Sequence, residues 1–231
     1  MKKTKSTLLA LTAVLVSPMA ANAGLMNGGF EDGNLNGYSV FASNANVVMS
    51  NTTSYSPGTW GADVTTSAIE GSYMLALSSG AANTWQTVSQ TISLYSGAVL
   101  SGSAFFDWGD YWISNNFGGQ YPDGAKVEIL DSTGAVAATP WALDGTDFCV
   151  TFCQPATGQA GAESGWQDWS FTAGAAGDYT LQYAVKNTGD SGGPNQTFGY
   201  FDAAQVPEPG MLALFGIGLV GMGLTRRRRK V

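Results

Sequence analysis

The chain has 231 residues, ten of them basic and seventeen acidic, and contains no histidine. Eight of the basic residues sit at the two ends, so the body from Gly24 to Gln205 sets only Lys126 and Lys186 against sixteen carboxylates, a net charge of −14. Such a surface repels phosphate backbones and excludes nucleic-acid binding, and the missing imidazole removes the commonest general base and metal ligand.

The amino terminus reads as an export signal. Lys2, Lys3 and Lys5 form a positive start, Leu8 to Val16 an apolar run, and Ala21-Asn22-Ala23 a small-x-small cleavage site. Residues 1–23 are therefore expected to be a signal peptide, with Gly24 first in the mature chain.

The body, residues 24–205, is long enough for one sizeable core. Trp85 to Leu94, Val99 to Phe106, Gln167 to Phe171 and Phe198 to Ala203 read as strands. Lys126 to Leu130, the turn Asp131-Ser132-Thr133-Gly134 and Ala135 to Ala137 read as a hairpin. Tyr179, Leu181, Tyr183 and Val185 alternate with Thr180, Gln182, Ala184 and Lys186, the period of a half-buried strand. No amphipathic helix is evident between the termini. Many short strands between Gly-rich turns predict an all-β protein, a β-sandwich.

Three motifs lose on chemistry. Gly189-Asp190-Ser191-Gly192-Gly193-Pro194 resembles the nucleophile motif of chymotrypsin-like proteases, but no histidine exists to take the serine proton. It reads as a loop joining the last two strands. Gly216-Ile217-Gly218-Leu219-Val220-Gly221 matches a dinucleotide fingerprint by letter, yet it lies inside an apolar span and follows no strand of a βαβ unit. Cys149 and Cys153, the sole cysteines, are expected to form a disulfide outside the cytoplasm, because too few further ligands exist for zinc.

The run from Asp107 to Asp123 is the loop best equipped for binding. Tyr111, Trp112 and Tyr121 offer aromatic faces for sugar rings, and Asn115 and Asn116 offer hydrogen bonds to hydroxyls. The competing reading makes Trp108 and Phe117 plugs at the end of the core. Asp107 and Asp110 are weighed as a glycosidase pair, which would make a glycoside-active enzyme the third reading.

The opening Asn27-Gly28-Gly29-Phe30-Glu31-Asp32-Gly33, Gly37-Tyr38, and the closing Tyr200-Phe201-Asp202 resemble the jelly rolls of the galactose-binding-domain-like class, to which many carbohydrate-binding modules belong. The resemblance implies a jelly roll over residues 24–205. It also implies a structural calcium held by Glu31 and Asp202, with backbone carbonyls completing its six to eight oxygens.

The carboxyl terminus has three parts: Val206-Pro207-Glu208-Pro209-Gly210, an uncharged stretch from Met211 to Thr225, and Arg226, Arg227, Arg228, Arg229 and Lys230. A helix over 211–225 spans about 22 Å, short of the roughly 30 Å of a hydrocarbon core. A short transmembrane helix retained by the following cations is expected. This tail resembles the PEP-CTERM sorting signal of bacterial secreted proteins. The resemblance implies cleavage by an exosortase-type membrane protease, a transient inner-membrane anchor, and delivery to the surface or extracellular matrix of an exopolysaccharide-producing bacterium. The function expected is that of a non-enzymatic, matrix-associated structural protein, with an exopolysaccharide-binding module as the alternative. Replacing Arg226 to Lys230 by neutral residues is predicted to weaken membrane retention and processing in the native host, read by cell fractionation and mature mass; unchanged values would contradict the sorting reading.

Overall fold

The computed structural model describes residues 24–42, 45–49, 52–54, 64–109, 122–148, 162–189 and 196–206. The signal peptide, the loop residues Tyr111, Trp112, Asn115, Asn116 and Tyr121, the pair Cys149 and Cys153, and the tail from Pro207 onward lie outside the described residues.

Among the described residues, thirteen strands and one helical turn follow in chain order. They are β1 (Ser39–Phe41), β2 (Ala45–Met49), β3 (Thr52–Ser54), β4 (Val64–Thr66), β5 (Tyr73–Ser78), β6 (Trp85–Leu94) and β7 (Val99–Trp108). After these come β8 (Gly124–Leu130), β9 (Val136–Asp144), α1 (Gly145–Phe148), β10 (Ala162–Glu163), β11 (Gln167–Thr172), β12 (Gly177–Lys186) and β13 (Phe198–Gln205). Among the described residues two sheets face each other. One has five strands in the order β1-β6-β12-β8-β9; the other has six, in the order β10-β7-β13-β5-β2 with β11 also on β7. β3 and β4 form a separate ribbon. The pairings are antiparallel, so the sandwich expected from the alternation is the fold found.

β6 shows how the sequence writes a sandwich strand. Gln86, Val88, Gln90, Ile92 and Leu94 are buried, while Trp85, Thr87, Ser89, Thr91 and Ser93 alternate outward. Two inward glutamines are unusual in a core. Gln90 is satisfied by the backbone of Met26: its Oε1 accepts from Met26 N at 2.7 Å and its Nε2 donates to Met26 O at 3.0 Å. It thus ties the opening segment to the sheet, as a strand partner would. The β8–β9 hairpin closes as its turn residues require. Asp131 Oδ1 accepts from the amides of Thr133 (2.8 Å) and Ala135 (3.1 Å), and Gly134 takes φ +83°.

The core is aromatic. Phe201 lies 4.5 Å from Tyr183 and 6.1 Å from Trp141, ring centre to ring centre, and Phe30 lies 6.1 Å from Tyr183. Trp108 is 2% exposed and packs against Gly145, where a Cβ would meet the indole at 2.7 Å; it is the plug its position suggested. The Phe201→Ala variant is predicted to lose about 3–5 kcal/mol, measured by denaturant unfolding, because the cavity opens between both sheets. A loss under about 1 kcal/mol would mean that this junction is not the centre of the core.

Candidate functional site

The opening and closing motifs meet, as expected for Glu31 and Asp202, but through a different element. Residues 24–38 are turns rather than a first strand, and β13 lies between β7 and β5. The two carboxylates converge on the turn that leads into β5. Asp202 Oδ2 accepts from Ile69 N at 2.7 Å and Glu70 N at 3.1 Å. Glu31 Oε1 accepts from Ser72 N at 3.0 Å and Tyr73 N at 2.9 Å. Two glycines, one in the opening motif and one in the turn before β5, make this possible. At Gly28 a Cβ would fall 2.0 Å from Ala204 O, where the chain accepts the Ala204 amide at 3.1 Å across the bulge in β13. At Gly71, φ +63°, a Cβ would strike the Glu31 carboxylate at 2.2 Å. Burial pushes the Asp202 carboxyl above the usual range against its amide bonds, with a smaller push from Glu31.

As a cation site this pair has the right chemistry and few ligands. Its donors are hard oxygens, which suit calcium. Three amide bonds already fall on each carboxylate, and no third Asp, Glu, His or Cys joins them among the described residues. Most of a calcium shell would have to come from backbone carbonyls and water.

A second constellation was not anticipated. Trp85, Lys186, Gly124 and Asp144 stand opposite one another on β6, β12, β8 and β9, forming one rung across four strands. Residues so placed share a face, here the outer face of the five-stranded sheet. The next rung runs Phe41, Thr87, Ala184, Lys126 and Ala142. The Lys126 Nζ lies 4.2 Å and the Lys186 Nζ 5.2 Å from the centre of the Trp85 ring. These distances suit cation–π attraction. The indole reaches over Gly124, where a Cβ would stand in ordinary contact with its Cη2 at 3.7 Å. Lys126 also pairs with Glu128 at 2.7 Å, and Gln182 donates to Glu128 at 3.2 Å. Phe41 is 70% exposed on the same face.

This rung borders a cleft of about 250 Å³ lined by Trp85, Lys126, Lys186, Pro122, Asp144 and Asp147, among others. Its acids are turned to the backbone of their own loop: Asp147 Oδ2 accepts from Asp144 N, and Asp144 Oδ1 from Thr146 N, both at 2.7 Å. Between the lining residues Pro122 and Gly124, buried Asp123 anchors the chain: its two carboxylate oxygens accept from Thr188 N and Thr197 Oγ1, each at 2.6 Å, and its carbonyl accepts from Gly145 N at 2.9 Å. The cleft is smaller than the roughly 300–1,000 Å³ of sites for whole drug-sized ligands, so it suits one ring of a longer chain. The expected loop run enters this neighbourhood at Pro122, but its ligand candidates lie outside the described residues. The sequence signal for the cleft was the isolation of Lys126 and Lys186 in an acidic body; their shared partner Trp85 is visible only through the strand register.

The tail matches the PEP-CTERM protein-sorting motif over residues 205–230, which marks the chain as exported and surface-sorted. By sequence the chain matches no curated protein. Among solved structures the body is similar to the carbohydrate-binding module TmCBM61 in complex with β-1,4-galactotriose, at 14% identity and TM-score 0.41, over 79% of this chain and 95% of that one. It is also similar to the CBM22-1 xylan-binding domain of Paenibacillus barcinonensis Xyn10C, at 14% identity and TM-score 0.33, over 78% and 90%. A third likeness is to the K3 cleaved adhesin domain of Lys-gingipain from Porphyromonas gingivalis, at 12% identity and TM-score 0.38, over 80% and 99%.

The raised Asp202 pKa carries a sign that can be tested. The folded state holds this proton more tightly than the unfolded one, so the contribution is full below the ordinary value of 3.8 and lost as pH rises through the folded pKa. The stability of the wild type relative to Asp202→Asn is predicted to improve as pH falls toward 3.8 and to stay level above the folded pKa, followed by urea unfolding across pH. The opposite slope would mean that the amide bonds outweigh burial.

Proposed function

We propose that the chain is a matrix-associated surface protein whose sandwich holds extracellular polysaccharide on the outer face of its five-stranded sheet. The observation that carries this reading is the Trp85 cleft: an indole with two lysine ammonium groups within 5.2 Å of its ring centre, at the end of a sheet face whose further rungs are rich in hydroxyl and amide groups. Ser89 stands opposite Gln182, and Thr91 opposite Thr180 with 3.1 Å between their hydroxyls. A flat aromatic face takes the apolar side of a sugar ring, and the polar rows take its hydroxyls. Export through residues 1–23, a transient inner-membrane anchor over 211–225 and release by an exosortase-type protease complete the proposal. The sorting motif at 205–230 supports that route.

The reading is one of binding rather than catalysis. It is supported by the cleft's two acids, which are engaged with backbone amides of their own loop. A structural calcium at Glu31 and Asp202 belongs to the same proposal. Its support is the meeting of two like charges at one turn, where a divalent cation would offset the burial that raises the Asp202 pKa.

The test is retention of the full chain, in mild detergent, on the producer's own exopolysaccharide. Trp85→Ala is predicted to weaken retention about tenfold, the effect of losing roughly 1.4 kcal/mol of stacking. A paired Trp112→Ala and Tyr121→Ala variant is predicted to change it little. Loss confined to that paired variant would move the site to the loop. Retention unchanged in every variant would leave a structural protein without a glycan site.

A further inference from the structure

We infer that the polysaccharide recognised at the Trp85 cleft is an acidic one, bound through sugar carboxylates bridged by Lys126 and Lys186; the inference rests on the binding reading above and names its ligand class. The argument starts from charge. Sixteen carboxylates and two lysines make up the charged groups of the body. The lysines are well separated in sequence and lie on different strands, yet both place their ammonium groups within 5.2 Å of one ring centre. On a surface so rich in acids, a lysine with a purely structural role should find a carboxylate. Lys126 does, in Glu128. Lys186 makes no ion pair among the described residues. The acids lining the cleft, Asp144 and Asp147, accept hydrogen bonds from amides of their own loop. The lining thus balances two lysines against two carboxylates, but the two ammonium groups are gathered at one indole while the carboxylates are directed to their own loop.

That arrangement suits a negatively charged ring better than a neutral one. A neutral sugar gains from the indole and from hydroxyl partners, and needs no second ammonium group. A uronate-type residue stacked at Trp85 can place its carboxylate between the two Nζ groups, each a strong charged donor. Asp144 and Asp147 oppose a polyanion from the cleft wall itself, while repulsion from the acids elsewhere on the body is screened beyond about 8 Å at physiological salt. The lysine pair acts inside that distance. Glu128 then holds the Lys126 side chain in place and sets a limit on how tightly a second anion is held.

The experiment uses the full chain in mild detergent with two soluble polymers, a polyuronate and the same polymer with its carboxylates reduced to alcohols. The wild type is expected to bind the polyuronate about tenfold more tightly than the reduced polymer. The double variant Lys126→Gln with Lys186→Gln is expected to lose that preference, and the double Lys→Arg variant to keep it. If both polymers bind alike and the Gln variant behaves as wild type, while Trp85→Ala still weakens binding, the ligand is neutral and the inference fails with the binding face intact. If neither polymer binds and Trp85→Ala leaves exopolysaccharide retention unchanged, both the inference and the binding face are overturned.

Discussion

The register of four antiparallel strands is the constraint on which the rest depends. β6, β12, β8 and β9 are aligned so that Trp85, Lys186, Gly124 and Asp144 share one rung. Side chains alternate with period two, so a slip of one residue would carry Trp85 into the core and a buried partner onto the surface. The register is held from the other face. Val88, Val127, Leu181 and Tyr183 are fully buried there and meet the aromatic cluster of the facing sheet. The same packing that stabilises the sandwich therefore sets where two lysines and an indole stand on its outside.

A second constraint closes the far side of the molecule. Gly28 approaches the β13 bulge so closely that no side chain fits, Phe30 then enters the core, and Glu31 turns back to the amides of residues 72 and 73. Asp202 takes the other end of that turn. Each carboxylate replaces water with directed amide protons, which makes charge tolerable at a poorly hydrated place. This pair is architecture first. The proposed binding face lies on the other sheet and draws on neither residue.

Much of the fold was legible because the strands obey local rules. Trp85 to Leu94 alternates strictly, and its bounds are those of β6; the Asp131 turn announces the β8–β9 hairpin through an acid able to cap two amides and a glycine able to take positive φ. The meeting of Glu31 and Asp202 was legible from the opening and closing motifs, although the turn that joins them was not. Nothing within residues 64–73 signals that their amides will receive two distant carboxylates. The lysine cleft was hidden for a related reason. Lys126 and Lys186 were conspicuous as the body's two cations, but Trp85 becomes their partner only once β6, β12 and β8 are in register. Sequence reasoning turned instead to a loop dense in aromatic residues, because density along the chain is readable and adjacency across a sheet is not.

Under the proposed function, sorting and polysaccharide binding place complementary demands on charge. Cations are concentrated at the two ends, and the body keeps two, both at one cleft. That economy allows a direct measurement: acetylation of lysines in the full chain, read by mass spectrometry, with and without the producer's exopolysaccharide. The account predicts that Lys126 and Lys186 become protected together when polysaccharide is bound, while Lys230 reacts as before. Polysaccharide bound with both body lysines still fully reactive would contradict it.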